Sequence, residues 1–390
     1  MSIKFLTDTQ KDNFKKIAEN IAKGQSISEA INNTQNTQVN ILNKYSLYKY
    51  SKDSIAGIEY ISDFLQDESV TDIMINNDGK IWIDCDTGIK MTGKTLSTTQ
   101  VKEIAIKLAT ICNKRLDESC PIVDGTLPNG IRFNAILDPI STNGTSISLR
   151  IKPKTVLPFD EVFSIDAPHF QLKKILRQIV KSKISFIVSG GTGTGKTTLV
   201  STLSELFDEK ERVLFIEEVS ELLTNHKNSV FLQARAKNIE DKGEISLSQL
   251  VHTAMRMRPD RIILGECRGK EIADLLNAFN TGHEGGICTI HANSVKELPS
   301  RILSLGILAK LDVETITQQS LSAIKIAIHL SRKEKENKIH RWISEIGVFS
   351  IENNRLICSP CINISQEGKV TFTNDWKKLK ELINYAENND

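Results

Sequence analysis

Residues 190–197 read Gly-Gly-Thr-Gly-Thr-Gly-Lys-Thr, immediately after the apolar run 184–188 and immediately before a helix-like segment that starts at Thr198. Apolar strand, glycine-rich loop and helix in that order restrict the local fold to a phosphate-cradling turn. Glycines let the backbone take positive φ and point successive N–H groups inward, at the positive end of the following helix. A triphosphate suits such a cradle: Lys196 reaches the β- and γ-phosphates, and the Thr197 hydroxyl serves Mg²⁺. The pattern predicts a nucleotide site formed by Gly190, Gly191, Thr192, Gly193, Thr194, Gly195, Lys196, Thr197 and Thr198.

The chain has 390 residues, enough for about two or three domains that each bury a core. Lysine and arginine total 50 against 48 aspartates and glutamates, so bulk charge argues for neither nucleic acid nor an anionic membrane as partner. No apolar stretch approaches the ~20 residues of a membrane span, and Asp8, Lys11 and Asp12 interrupt any signal-peptide core. The expectation is a cytosolic protein. Seven scattered cysteines, an odd number, do not form a secreted disulfide framework. Cys358 and Cys361 have zinc-like spacing, yet no further ligands lie nearby in sequence to complete a site.

Along the chain, Phe14, Ile17 and Ile21 recur at helical spacing before a polar stretch at 32–38, which suggests a short N-terminal helical module over residues 1–57. The runs 70–75 and 81–83 flank Asn-Asn-Asp-Gly, a hairpin signature, and strand-like runs follow at 131–136 and 145–151 with a helix-like stretch, 99–111, between them. Residues 58–152 therefore read as an α+β domain. A proline-containing linker (153–168) leads to the nucleotide core, 169–350, and a C-terminal extension covers 351–390. Within the core, the strands 214–216, 262–264 and 287–290 alternate with amphipathic helices. That is the pattern of a mostly parallel sheet covered on both faces. One helix carries Ile272, Leu275, Leu276 and Phe279, with Gly282 just beyond its end. Ile324, Ile326, Ile328 and Leu330 then alternate, and the charge run 332–338 is expected at a hairpin tip.

Phosphoryl transfer to water is catalysed mainly by positioning and charge stabilisation, so carboxylates should project from strand ends beside the loop. Glu217 and Glu218 end one strand. Glu266 ends Ile-Ile-Leu-Gly-Glu, where Gly265 stands in place of the aspartate many ATPases carry.

These motifs, taken together, resemble the secretion and type IV pilus superfamily of ATPases, and within it the Tad/Flp-pilus assembly (CpaF-like) branch. The similarity is carried by Gly-Gly-Thr-Gly-Thr-Gly-Lys-Thr-Thr-Leu from Gly190, Ile-Glu-Glu-Val-Ser-Glu-Leu from Ile216 and Lys-Gly-Glu-Ile-Ser from Lys242. It continues through Met-Arg-Met-Arg-Pro-Asp-Arg-Ile-Ile-Leu-Gly-Glu-Cys-Arg-Gly from Met255 and Asn-Thr-Gly-His-Glu-Gly-Gly-Ile-Cys-Thr-Ile-His-Ala-Asn from Asn280. An upstream block from Arg115 extends it to roughly residues 58–350.

The resemblance implies an α/β fold: a RecA-like P-loop core preceded by the smaller α+β domain. It also implies ATP and Mg²⁺ as ligands, with Thr197 and Glu266 on the metal side. Glu217 matches the family's water-activating glutamate, and Glu218 stands where aspartate is usual. Glu266 and His291 match the Walker B and His-box residues; His283 is the weaker match. Arg132 and Arg150 match N-domain arginines that meet phosphate on domain closure, with Arg115 as a third. Arg256, Arg258, Arg261 and Arg268 are candidates for a core-side or intersubunit counterpart. The implied assembly is a homo-hexamer at the cytoplasmic face of the inner membrane. It would engage pilus platform proteins and associate with the membrane only through them, without direct nucleic-acid binding. A conjugation-type secretion ATPase is the alternative, sharing nearly every core motif, and a nucleotide-gated scaffold with little turnover is another.

Overall fold

The computed structural model describes residues 60–384 apart from positions 86, 128–129, 153–154, 163–166, 236, 238–241 and 336–337. The helical module expected over 1–57 lies outside the described residues. The chain divides into two units, Met1–Lys152 and Pro153–Asp390.

In the first unit, a short helix α1 (Ser62–Gln66) precedes β1 (Val70–Ile75), β2 (Lys80–Cys85) and β3 (Gly88–Thr95). The Asn-Asn-Asp-Gly segment makes the β1–β2 hairpin. Gly79 takes φ 78°, and a Cβ there would collide with the Leu96 carbonyl oxygen. Helix α2 (Thr98–Ile111) starts where Ser97 and Gln100 form a reciprocal capping box, which satisfies two otherwise orphaned donors. Its buried stripe of Val101, Ile104, Ala105 and Leu108 packs with Ile73, Ile75, Phe133 and Leu149. Strands β4 (Ile122–Thr126), β5 (Arg132–Ile136) and β6 (Ser146–Arg150) complete a six-stranded antiparallel sheet of order β3-β2-β1-β6-β5-β4.

The second unit opens with α3 (Phe159–Val162) and α4 (Ala167–Lys181). Phe159 is buried in the main core and the Leu157 carbonyl accepts from Thr202 Oγ1 (3.1 Å), so part of the expected linker is packed structure. Next come β7 (Phe186–Gly190), α5 (Lys196–Ser204), β8 (Val213–Glu217), β9 (Ser229–Gln233) and α6 (Leu247–Met255). They are followed by β10 (Arg261–Leu264), α7 (Glu271–Asn280), β11 (Ile287–Ile290), α8 (Leu298–Leu308) and α9 (Val313–Ala323). The chain closes with β12 (Ile326–Lys335), β13 (Lys338–Glu352), β14 (Arg355–Ile364), β15 (Val370–Phe372) and α10 (Trp376–Leu382).

Sheet order is β15-β14-β13-β12-β7-β11-β10-β8-β9. From β9 to β12 every neighbour is parallel, and from β12 to β15 every neighbour is antiparallel. Every residue of β7, β8, β10 and β11 is buried, as befits parallel strands covered on both faces. One core layer joins α4, α5 and α10, and the other joins α6 through α9.

The sheet does not stop at residue 350, where the sequence suggested a C-terminal extension. Strand β13 runs through that position, and β14 returns against it across Asn353-Asn354, both at positive φ (50° and 59°), as in a type I′ turn. Polar residues at a tight hairpin imitate a domain end. The charge run 332–338 likewise lies along the arms of the β12–β13 hairpin, whose tip residues 336–337 are outside the described set. Cys358 and Cys361 point into opposite core layers, so their spacing does not converge on a metal.

Because Ile362, Ile364, Leu379 and Ile383 share a core with Val188, Ile328 and Ile346, we predict that a chain ended after Glu352 loses cooperative folding. Thermal melts followed by circular dichroism should show no sharp transition. A truncated chain that melts at the parent's midpoint would refute an integral C-terminal segment.

Candidate nucleotide-binding site

Strand β7 ends at Gly190 and α5 begins at Lys196, so residues 191–195 form the loop. Gly190, Gly193 and Gly195 have φ of 153°, 71° and 90°. A Cβ on Gly190 would lie 2.6 Å from both the Leu330 oxygen and Thr194 Oγ1, which leaves only glycine at that position. The first-turn N–H groups of α5 point toward the loop, where a helix favours anions. Lys196 is 8% exposed, and its Nζ donates to the Gly190 (3.0 Å) and Gly191 (2.8 Å) carbonyl oxygens. Burial pulls its pKa below the ordinary lysine value, against the attraction of Glu266. Thr194 Oγ1 donates to the Gly191 oxygen (2.9 Å). Gly191, Thr192, Gly193 and Thr198 are exposed, whereas Thr197 is half-buried in the first turn of α5.

The acidic residues arrive from neighbouring parallel strands. Glu217, the last residue of β8, is 4% exposed, and its Oε1 accepts from the backbone N–H groups of Glu221 (2.9 Å) and Leu222 (2.8 Å). A Cβ on Gly265 would sit 2.7 Å from Glu217 Cγ, so no aspartate fits there beside Glu217. That is the physical reason for the glycine. Glu266 follows β10; its Oε2 accepts from Arg268 Nη2 (2.6 Å), and its Oε1 lies 2.9 Å from His291 Nε2. Glu218 is exposed, with its carboxylate 3.9 Å from Arg268 Nη1. Burial first, then the charge of Lys196, lowers the His291 pKa, with Glu266 opposing. His283 occupies the turn between α7 and β11. The structure thus groups Glu266, Arg268 and His291, while Glu217 is engaged with backbone.

Three neighbours of the loop carry no signal in the sequence motifs. Ser189 Oγ is bonded to Nδ1 of His329 (2.9 Å), and both residues are buried. Arg341 Nε donates to the Gly193 oxygen (2.9 Å), and a Cβ on Gly193 would stand 2.5 Å from Arg332 Nη1. Alternation alone identified β12. Only its parallel register with β7, which sets His329 beside Ser189 and Leu330 beside Gly190, reveals these contacts.

Among the arginines, Arg132 and Arg150 are direct cross-strand partners on β5 and β6, paired with Asp124 (3.2 Å) and Asp72 (3.1 Å). Arg115 is paired with Asp117. Arg261, grouped in the sequence with candidate phosphate-binding arginines, is 2% exposed instead. It binds Glu211 (2.6 Å) and the carbonyl oxygens of Gly285 and Val180 (both 3.1 Å). Burial opposes the charge of Glu211, yet Arg261 and Lys183 outweigh it and lower that carboxyl's pKa. The Lys-Gly-Glu-Ile-Ser segment has a local role as well: Gly243 turns at φ 76°, and Ser246 caps α6 in a capping box with Gln249.

The donor set fits a Mg²⁺-bound polyphosphate. Glu266 Oε1 is shielded from solvent and makes no well-aligned hydrogen bond, although His291 is near, so it retains acceptor capacity. Thr197 supplies a hydroxyl at the helix start, and Lys196 the cation.

The sequence profile described as "Type II/IV secretion system protein" matches residues 55–389. The chain belongs to the type II/IV secretion system protein family. It is 34% identical over 309 residues to the "Putative conjugal transfer protein" of Mycobacterium tuberculosis, covering 77% of this chain and 87% of that one. It is 28% identical over 284 residues to the conjugal transfer protein TrbB of Rhizobium radiobacter, covering 72% and 84%. The X-ray structure of the Legionella pneumophila ATPase DotB superposes with TM-score 0.55 at 22% identity, over 77% of this chain and 82% of DotB. At that identity the likeness concerns the fold. Among the described residues, no helix is long and apolar enough to cross a membrane.

Buried His329 is expected to make stability depend on pH. Burial holds its pKa below the ordinary 6.5, against the pull of Glu345 and the Asn293 backbone. Well above pH 6.5 the imidazole is neutral folded and unfolded. Below it the unfolded chain takes up a proton first, so stability falls with pH. We predict that the urea midpoint declines from pH 7.5 to 5.5 and that His329→Gln flattens the decline. Equal slopes in parent and variant would exclude His329 as a source.

Proposed function

We propose that the chain is a Mg²⁺-dependent ATPase that drives an envelope-spanning secretion or pilus machine. The observation that carries this reading is that Lys196, held at the start of α5, lies within electrostatic reach of the Glu266–His291 pair from the next strands of one parallel sheet edge. Catalysis of phosphoryl transfer needs little more than such positioning and charge. Lys196 draws charge onto the β- and γ-phosphates, Thr197 and Glu266 serve Mg²⁺, and Glu217 orients water. His291 couples phosphate to the surrounding loops.

The work is done by a RecA-like core in a homo-hexameric ring, with Arg132 and Arg150 as further phosphate-binding residues. Their cross-strand adjacency supports a shared target. The motif set supports service to a Tad/Flp pilus at the cytoplasmic face of the inner membrane, through platform proteins there. A conjugation-type secretion role is the second reading. It is favoured by relatives of M. tuberculosis and R. radiobacter that are described as conjugal transfer proteins. Deleting the gene in its host separates the two: loss of surface pili supports the first, and loss of DNA transfer with pili intact the second.

Lys196→Ala should abolish phosphate release by the purified chain while its circular dichroism melt is retained. Turnover near the parent's would sink the ATPase reading. Glu217→Gln keeps an oxygen for the Glu221 and Leu222 N–H groups, so it should fold normally yet lose roughly two to four orders of magnitude in kcat if Glu217 activates water. Normal kcat in Glu217→Gln together with collapse in Glu266→Gln would transfer that role to Glu266.

A further inference from the structure

β12 lies parallel to β7 until Leu330 meets Gly190, after which the strand runs on beside the phosphate loop, paired with β13. At that point the β12–β13 register shifts between His329 and Leu330. Such a bulge bends and twists its strand, which re-aims the side chains beyond it. Arg332 and Arg341 follow as direct cross-strand partners. Both face the loop: Arg341 Nε holds the Gly193 oxygen at 2.9 Å, its Cδ would lie 3.7 Å from a Cβ on Gly195, and Arg332 Nη1 overlies Gly193. Lys196 already makes the cradle positive.

We propose that Arg332 and Arg341 form a second anion-recognising element of the phosphate loop, carried in cis by the β12–β13 hairpin and directed at the polyphosphate of a bound nucleotide. Arg341 holds the loop tip by its carbonyl, and Arg332 adds charge where the outer phosphates lie. Guanidinium forks match phosphate oxygens better than any other side chain. The two arginines are thereby positioned to link phosphate occupancy to the β12–β13 hairpin. This inference rests on the nucleotide reading given above.

The test is competition of ATP, ADP and adenosine against a fluorescent ATP analogue on the full chain. In Arg332→Gln, ATP should bind roughly tenfold more weakly, ADP less so, and adenosine as in the parent, given the strength of hydrogen bonds to charged groups. Arg332→Lys, which keeps the charge but loses the planar fork, should fall between the parent and Arg332→Gln. The parent's ATP affinity should also fall more steeply with ionic strength than that of Arg332→Gln. Unchanged ATP affinity in Arg332→Gln, or equal losses for ATP and adenosine, overturns the proposal while leaving nucleotide binding standing. A parent that binds none of the three removes the nucleotide reading and this inference with it.

Discussion

Lys196 is a buried ammonium group held at the start of α5 by two loop carbonyl oxygens, and the loop, its glycines and Glu266 all bear on keeping that cation there. A buried charge is tolerated only when it is hydrogen-bonded and countered. Glycine at 190, 193 and 195 brings the carbonyls close enough, and Glu266 supplies the opposing charge. The loop in turn depends on β7 lying centrally in the sheet, between β11 and β12. Bulky substitution at Gly190 would strike Leu330 on one side and Thr194 on the other, so the loop and the hairpin strand are fitted to each other.

Parallel pairing explains why so few elements build the site. Strands that run in one direction end on one edge, and ligands in open α/β sheets sit outside those carboxyl ends. Leu264 pairs with both Ile216 and Cys288, and Ile290 with Ser189, which brings Glu217, Glu266, His291 and the loop to a common edge. Thr289 Oγ1 donating to the Gly265 oxygen (2.5 Å) ties two of those strand ends together. β12 extends the same logic by one strand and then turns antiparallel.

The parts legible in the sequence are those set by local chemistry. Buried parallel strands read as unbroken apolar runs, so β8, β10 and β11 were visible, and the hairpin at Asn76–Gly79 announced itself by its turn residues. The helix of Ile272 and Phe279 and the glycine after it were equally plain. Less legible were features that depend on distant pairing. β9, with half-exposed Ser229 and Val230, resembles any polar edge segment. The strands after residue 350 were hidden behind a two-asparagine hairpin. Arg332 and His329 looked like a charge run and an alternating strand, because nothing local states that β12 lies against β7. Gly265 looked like a missing aspartate, when its absent side chain is what admits Glu217.

The two carboxylates are engaged differently. Glu217 spends one oxygen on the N–H groups of Glu221 and Leu222, and releasing both would leave one buried and one half-buried donor unmade, at about 1–3 kcal/mol for the buried one. Such fixation is useful for positioning, since a carboxylate locked at one oxygen holds the second with little freedom. Glu266 is the opposite case. It is shared between Arg268 (2.6 Å) and His291 (2.9 Å), side chains that are 57% and 35% exposed and can move. A carboxylate whose partners can leave is suited to respond to a metal ion, whereas one bound to backbone is suited to stay in place.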